Sequence, residues 1–254
     1  MLFPCVGGKI RSALLLGSIW ISAVFAQEGT WGLSGLAGIG YPNLGTVNET
    51  LDRTIDYWNN AEGIPIGPFE HFGVSGQWSG KLQYRYERDF AFSLSVTEFH
   101  RTIRNSYADA DYTLEFERTV GATDVMLGFS YYLPPLLRSV DTYVLVEIGE
   151  TFARADAYTY STKSRKVGAD YVWDVLYDTR ARYRKEKLSL TTGLGADVEI
   201  AGPFVLEMAL RYKLAKVGQM DGDIQRITGT FPEPSVTEFD FSSVTLMVGL
   251  GIRF

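Results

Sequence analysis

The chain has 254 residues, a formal net charge of −6 and a single cysteine, Cys5. An acidic balance excludes the cationic footprint that a nucleic-acid partner would require, and one cysteine excludes a disulfide-stapled scaffold. With 26 glycines and 14% aromatic residues but no long apolar helix after the N-terminus, the chain reads as a sheet protein.

Lys9 and Arg11 precede an apolar stretch from Ser12 to Ala26 that ends in the small-residue pattern Val24-Phe25-Ala26. This is the pattern of a secretory signal peptide over 1–26, cleaved to leave Gln27 first. The stretch is shorter than the roughly 20 residues of a spanning helix. Cys5 lies ahead of the apolar core, so it is not a lipid-bearing cysteine, and the mature chain, 27–254, would contain none. Such a chain must be held by a core or by complete backbone pairing.

From Trp31 onward the apolar residues alternate with period 2, the mark of half-buried strands. The first strand carries Trp31, Leu33, Ala37, Ile39 and Tyr41 on one face. In the loop after it, Val47, Leu51, Ile55 and Trp58 recur at helical spacing, which predicts a short amphipathic helix. The second strand sets Trp78, Leu82, Tyr84 and Tyr86 against Lys81, Gln83 and Arg85, and turns at Arg88-Asp89 into a third with Phe90, Phe92, Leu94 and Val96. A fourth, over 112–132, changes phase between Leu114/Phe116 and Val125/Leu127/Phe129, which predicts a β-bulge near Gly121. Val144, Val146 and Ile148 mark the fifth strand, and Leu190, Leu194, Val198 and Ile200 the sixth. After Ala201-Gly202-Pro203, Phe204, Leu206, Met208, Leu210 and Tyr212 mark the seventh, and Val244, Leu246, Val248, Leu250, Ile252 and Phe254 the eighth.

The connections alternate in length. Long ones are expected at 42–70, 104–111, 158–179 and 216–240, and short ones at 88–89, 133–139 and 201–203, so every short turn falls on the side of the termini. These features predict an all-β fold: an eight-stranded antiparallel up-and-down transmembrane β-barrel with short periplasmic turns and long external loops. An eight-stranded interior is only wide enough to be filled by side chains. The bulky apolar face therefore belongs outside, and the face rich in Gly, Ser, Ala and Thr belongs inside. Aromatic girdles are expected at Trp31, Phe90, Tyr131, Tyr132, Phe204 and Phe254 on the turn side, and at Tyr41, Phe99, Tyr112 and Tyr212 on the loop side.

The last strand, alternating up to a carboxy-terminal phenylalanine, resembles the C-terminal signature of Gram-negative outer-membrane barrels of the small OmpA, OmpX and OmpW kind. That resemblance implies an outer-membrane location and a terminal strand, with Leu250, Ile252 and Phe254, that is read by the barrel-assembly machinery. Some barrels of this kind modify lipid A, which makes an enzyme the reading to weigh against a structural role. His71 and His100 are the only histidines, and neither stands in a His-x-Ser pattern; His100 with Ser106 is the best candidate base and nucleophile.

The inner face predicts a polar network of Lys81, Arg85, Glu147, Asp197, Glu207, Arg211 and Lys213, read as a plug, with a narrow conduit for small solutes as the alternative and a lipid A enzyme third. On the external side, Lys163, Arg165, Lys166, Arg180, Arg182 and Arg184 could pair with lipopolysaccharide phosphates or with Asp170, Asp174 and Asp178. The glycine pairs lie inside alternating strands and form no nucleotide loop. Asn48-Glu49-Thr50 is read as a chance match to a glycosylation acceptor, no metal-ligand spacing appears, and no cofactor is expected.

Overall fold

The computed structural model describes residues 29–135, 139–167, 169–228 and 238–254, so the expected signal peptide and the cleavage site at Gln27 lie outside the described residues. Eight strands close a ring: β1 (Gly29–Pro42), β2 (Ser75–Tyr86), β3 (Phe90–Ala108), β4 (Tyr112–Tyr132), β5 (Val140–Val167), β6 (Asp170–Ala201), β7 (Phe204–Leu214) and β11 (Ser243–Arg253). Each pairs antiparallel with its chain neighbour in the ring, and β11 returns to β1. The seam continues to the last residue, where Trp31 and Phe254 exchange backbone hydrogen bonds of 2.9 and 2.8 Å. Closure leaves no open edge among these strands, which is the condition for a sheet to sit in lipid.

The outward face of the lower half is apolar. Leu33, Leu82, Phe92, Leu94, Leu127, Val146, Ile148, Leu194, Leu210 and Leu250 are all exposed, Leu127 to 66% and Leu250 to 61%. In a water-soluble protein such a continuous apolar exterior would be a severe liability; against hydrocarbon it carries no penalty. No described helix is long and apolar enough to cross a membrane.

Strands β4 and β7 have the bounds expected from sequence, whereas β3, β5 and β6 are much longer. The expected loops at 104–111 and 158–179 are mostly strand. Two ribbons rise beyond the apolar belt, β3–β4 and β5–β6, the second reaching the Val167↔Asp170 pair. Their inner faces bury polar residues such as Thr159, Ser161 and Thr179 as well as Ile103, Leu114 and Phe116, so the alternation of the belt is blurred there. Cross-strand pairs add to their hold: Arg104 with Glu117 at 2.8 Å, Thr102 with Thr119 at 2.8 Å, and Thr113 with Thr162.

The bulge expected near Gly121 is absent, because β4 keeps one register with β3 and with β5 throughout. Leu114, Phe116, Val120, Asp124, Met126 and Tyr132 all point inward. What changes along the strand is the interior, polar in the lower half and apolar above. Two expected girdle members are corrected for the same reason of parity. Tyr132 is 2% exposed inside the polar half, and Phe99 is 5% exposed inside the apolar half with its ring 6.0 Å from Phe241. Tyr112 stands at the tip of the β3–β4 ribbon, beyond the belt.

The apolar upper interior is filled by α1 (Gly45–Asn60), the helix expected from the spacing of Val47, Leu51, Ile55 and Trp58, with Thr54 also buried. It packs against Phe116 and Leu114 of β4, Ile103 of β3, and Val217, Met220, Phe239 and Phe241 from the last external connection. That connection contains a small two-stranded sheet, β8 (Lys216–Gly218) with β10 (Phe239–Asp240), and β9 (Asp221–Thr228), which adds to the outer part of β6.

Candidate functional site

The seven inward charged residues expected from sequence all lie in the lower barrel, and the structure joins them to one another and to partners that were not foreseen. Glu207 is at the centre. It accepts from Lys81, from the Tyr143 hydroxyl at 2.8 Å and from Ser34 at 2.9 Å. Asp197 accepts from Tyr132 at 2.9 Å and from Arg253 at 2.8 Å. Arg85 bonds Asp141 at 2.8 Å and lies 3.8 Å over the Tyr132 ring. One layer higher, Lys213 bonds Asp124 at 2.8 Å, Thr151 donates to the same carboxylate at 2.6 Å, and Arg211 lies 3.7 Å from Glu147. Each buried charge thus has an opposite charge beside it, which such a confined interior demands.

Asp124, Asp141, Arg253, Tyr132 and Tyr143 were missing from the expected set. Arg253 was legible: it alternates with Ile252 and Phe254 and so faces inward. Asp124 was legible too, since it alternates with the outward Val125 and Leu127; what the assumed bulge misplaced were Leu114 and Phe116, which it set on the outer face.

Two small holes remain in this half. One, of about 30 Å³, touches Arg85, Asp197, Glu207 and Arg253 at the turn-side mouth. The other, also about 30 Å³, is lined by Asp124, Glu147, Arg211 and Lys213 among others. Arg211 Nε and Nη2 are buried without a protein partner, and a hole of this size holds one or two waters that can supply acceptors.

Above the polar half, α1 covers the axis. Trp58 is fully buried, with Phe116 and Tyr177 edge-on at 6.0 and 5.4 Å. Asn48 fastens the segment after the helix: Phe72 N donates to its Oδ1 at 2.8 Å, and its Nδ2 donates to Phe72 O at 3.1 Å. The side-chain amide of the apparent glycosylation triplet is thereby engaged inside the protein.

On the external side the basic residues separate into two groups. Lys163, Arg165 and Lys166 sit on the β5–β6 ribbon, where Arg165 bonds Asp174 at 2.7 Å and Lys163 lies 4.9 Å from the Tyr112 ring. Hydrogen bonding to Asp174 raises the Arg165 pKa above its ordinary value. Arg180, Arg182 and Arg184 are exposed together on the outward face of β6. Arg180 lies 5.1 Å over Tyr158, and Arg182 is 3.9 Å from Asp156. The register of β9 sets Asp223 opposite Arg182 and Asp221 opposite Arg184, so aspartates of the last connection, not only those of the ribbon, stand beside this row.

His100 and Ser106 both lie on the outward face of β3, six residues apart, which is roughly 20 Å along an extended strand. They are not a base and nucleophile within reach of each other. His100 instead approaches Arg154 at 3.4 Å and Thr102 at 3.4 Å. Among the described residues, no cluster of His, Cys, Asp and Glu could hold a metal ion.

No family model matches this chain, and no curated protein matches it. Among solved structures it is similar to the outer membrane protein OprG from Pseudomonas aeruginosa, at 13% identity and TM-score 0.46, over 90% of this chain and 97% of that one. It is similar to Ail, the attachment invasion locus protein of Yersinia pestis, at 14% identity and TM-score 0.44, over 90% of this chain and 100% of that one. A major outer membrane protein from Thermus thermophilus aligns at 11% identity and TM-score 0.43, over 89% of this chain and all of that one. The closed ring of eight strands, the apolar exterior, the polar lower interior and the long ribbons at one end give this chain the architecture of a small outer-membrane β-barrel.

Proposed function

We propose that the chain is an outer-membrane β-barrel of a Gram-negative bacterium with a structural and surface-interaction role and a plugged, non-conducting lumen. The observation that supports this reading is the filled interior: ion pairs occupy the lower half, where the two holes described are water-sized, and α1 with its apolar partners occupies the upper half. A conduit would need a continuous opening, and an eight-stranded ring has little room for one.

The surface role draws on the β5–β6 ribbon. It extends 15 residues beyond Phe152, roughly 50 Å along the strand, and ends with Tyr171, Val172, Trp173 and Val175 exposed. Lys163, Arg165 and Lys166 on this ribbon and Arg180, Arg182 and Arg184 below it are the proposed contacts to lipopolysaccharide phosphates. Arg180 is exposed and lies 5.1 Å over the Tyr158 ring. Leu250, Ile252 and Phe254 at the C-terminal end form the proposed assembly signal, exposed on the outer face beside the β1 seam.

A planar-bilayer recording tests the plugged lumen. Purified refolded protein inserted into a bilayer should give no steady unitary conductance, and discrete current steps would replace this reading with the conduit. Lipid A extracted from cells with and without the protein should have the same mass, whereas a mass shift would establish the enzyme.

A further inference from the structure

The outward face of the ribbons differs in chemistry from the arginine row beneath it. Phe152 faces outward, and the even-numbered residues of β5 just beyond it share its face, so Tyr158 and Tyr160 stand on the outer wall. On β6 the register shift beside Ser161/Thr162 leaves out Leu176, and the same face continues with Val175, Trp173 and Tyr171, opposite Thr162, Ser164 and Lys166. Val175, Trp173 and Tyr171 are exposed to 42, 47 and 65%. Alternate residues of a strand are roughly 7 Å apart, so Tyr158, Tyr160, Trp173 and Tyr171 form an aromatic track up the ribbon. It begins six residues beyond Phe152, about 20 Å along the strand.

Polar groups flank the foot of this track. Glu117 and Glu115 of β4 are opposite Tyr158 and Tyr160, and Arg104 and Ser106 of β3 are opposite the two glutamates. With Tyr158 they border an open hollow of about 490 Å³. Arg104 bonds Glu117 at 2.8 Å. By contrast, Ser106, Glu115, Tyr160, Tyr171 and Trp173 make no side-chain hydrogen bond or ion pair among the described residues. A hydroxyl and a carboxylate are therefore left side by side next to uncommitted rings. The face has no surplus of positive charge either, because Arg104, Arg180 and Lys166 are matched by Glu115, Glu117 and Asp178.

A phosphate would need unpaired cations here, which this balanced face does not offer. An extended peptide would need an open ladder, and β5 is paired on both sides up to Lys163. A sugar ring has apolar C–H groups on its face and hydroxyls at its rim. The first suit the face of a tyrosine or an indole, and the second suit a carboxylate acceptor beside a hydroxyl that both donates and accepts. Resting on the lipopolysaccharide reading above, we infer that this face binds the oligosaccharide of a lipopolysaccharide molecule in the same membrane. Its sugars stack on Tyr160, Trp173 and Tyr171, and a sugar hydroxyl is held between Ser106 and Glu115. The track favours that occupant by its course: it climbs from just above Arg182 and Arg184, the proposed phosphate contacts, and the sugars of a lipid held there rise beside it.

The test uses the whole refolded protein in detergent micelles, with binding read by isothermal titration. The probes are complete lipopolysaccharide, the same lipopolysaccharide truncated to its innermost sugars, and dextran as an unrelated neutral saccharide. Both lipopolysaccharides keep their lipid A phosphates. The complete form should bind about tenfold more tightly than the truncated one, the worth of roughly one stacked ring with its hydrogen bond, and this ratio should persist at high salt. The double variant Tyr160→Ala with Trp173→Ala should remove the ratio while leaving binding of the truncated form unchanged, and Glu115→Gln should reduce it. If the double variant does not fold, Glu115→Gln and Trp173→Ala alone decide the matter. Equal binding of the two forms by the parent overturns the inference, as does a ratio that the variants leave intact. Dextran bound as well as complete lipopolysaccharide would overturn the assignment to that lipid, and self-association of the parent abolished by Trp173→Ala would give the face to a second copy instead. Failure of both forms to bind would sink the underlying lipopolysaccharide reading.

Discussion

Lys81 and Glu207 show how the interior is held at the scale of single residues. Both are buried, and Glu207 accepts from three donors of three different strands. Removing one member strands the other charge in a space with little water, which costs about 3–5 kcal/mol. Lys81→Met should therefore lower the urea-unfolding free energy of the refolded barrel by that order, and adding Glu207→Leu should recover much of the loss. A single variant as stable as the parent would show that Glu207 draws its support from Tyr143 and Ser34 alone. In the external turn between β3 and β4, Asp109 accepts from the Tyr107 hydroxyl at 2.6 Å and from the backbone N–H groups of Asp111 and Tyr112 at 2.8 and 2.6 Å. These bonds, the Tyr107 hydroxyl first, lower its pKa below the ordinary 3.8. A lowered folded-state pKa means that the bonds stabilise the turn fully above the unfolded value and fail as pH falls through the folded one. Amide exchange at Asp111 and Tyr112 should accelerate below about pH 4, and Asp109→Asn should remove that pH dependence.

Among the elements, α1 is the one whose removal separates the barrel from its plug. Its apolar face is buried against the upper wall while Arg53 stays exposed. Leu51→Asp places a charge among the apolar side chains of that contact, in a space that it shares with Arg118. The strands should still close, because their ladder does not pass through the helix. The expected result is a heat-modifiable barrel whose chain trypsin now cleaves at Arg53; a cleavage pattern like the parent's would mean that the helix is held by Asn48 and the flanking turns. The β6 row makes a second case at this scale. Replacing Arg180, Arg182 and Arg184 with Gln should leave folding nearly unchanged and weaken lipopolysaccharide binding in a salt-dependent way. The remaining binding should be larger than for a bare cationic row, since Asp221 and Asp223 already neutralise part of it.

For the whole molecule, the property that matters is closure. The first and last described strands are joined, and Phe254 completes the seam with Trp31. Deleting Phe254 removes two backbone hydrogen bonds from a structure with many, so the folded barrel should lose little stability while the yield of assembled protein in cells falls sharply. Cysteines at Leu82, Leu206 or Leu250 should react with lipid-soluble probes, and those at Gln83, Glu207 or Gly251 should not, because the first set faces outward and the second inward. The reverse pattern would describe a barrel turned inside out.

The sequence by itself determined the ring: period-2 alternation located all eight strands, and side-chain size assigned the bulky face to the outside. It also located α1, because four apolar residues at helical spacing are a local signal, and it placed the seven inward charges of the polar half. Three things were decided only by the tertiary structure. The inner faces of the β3–β4 and β5–β6 ribbons are buried by a mixture of apolar and polar residues, Ile103 and Phe116 but also Thr159, Ser161 and Thr179, so the alternation of the belt is blurred there. The change of the interior from polar to apolar under α1 imitated a bulge in β4, since the same inward positions hold Asp124 below and Phe116 above. The surroundings of His100 are built from four strands that meet only in register, with Gly76 and Gly121 contributing the absence of a side chain. Alternation along one strand says which way a residue points; what it meets there depends on neighbours far away in the chain.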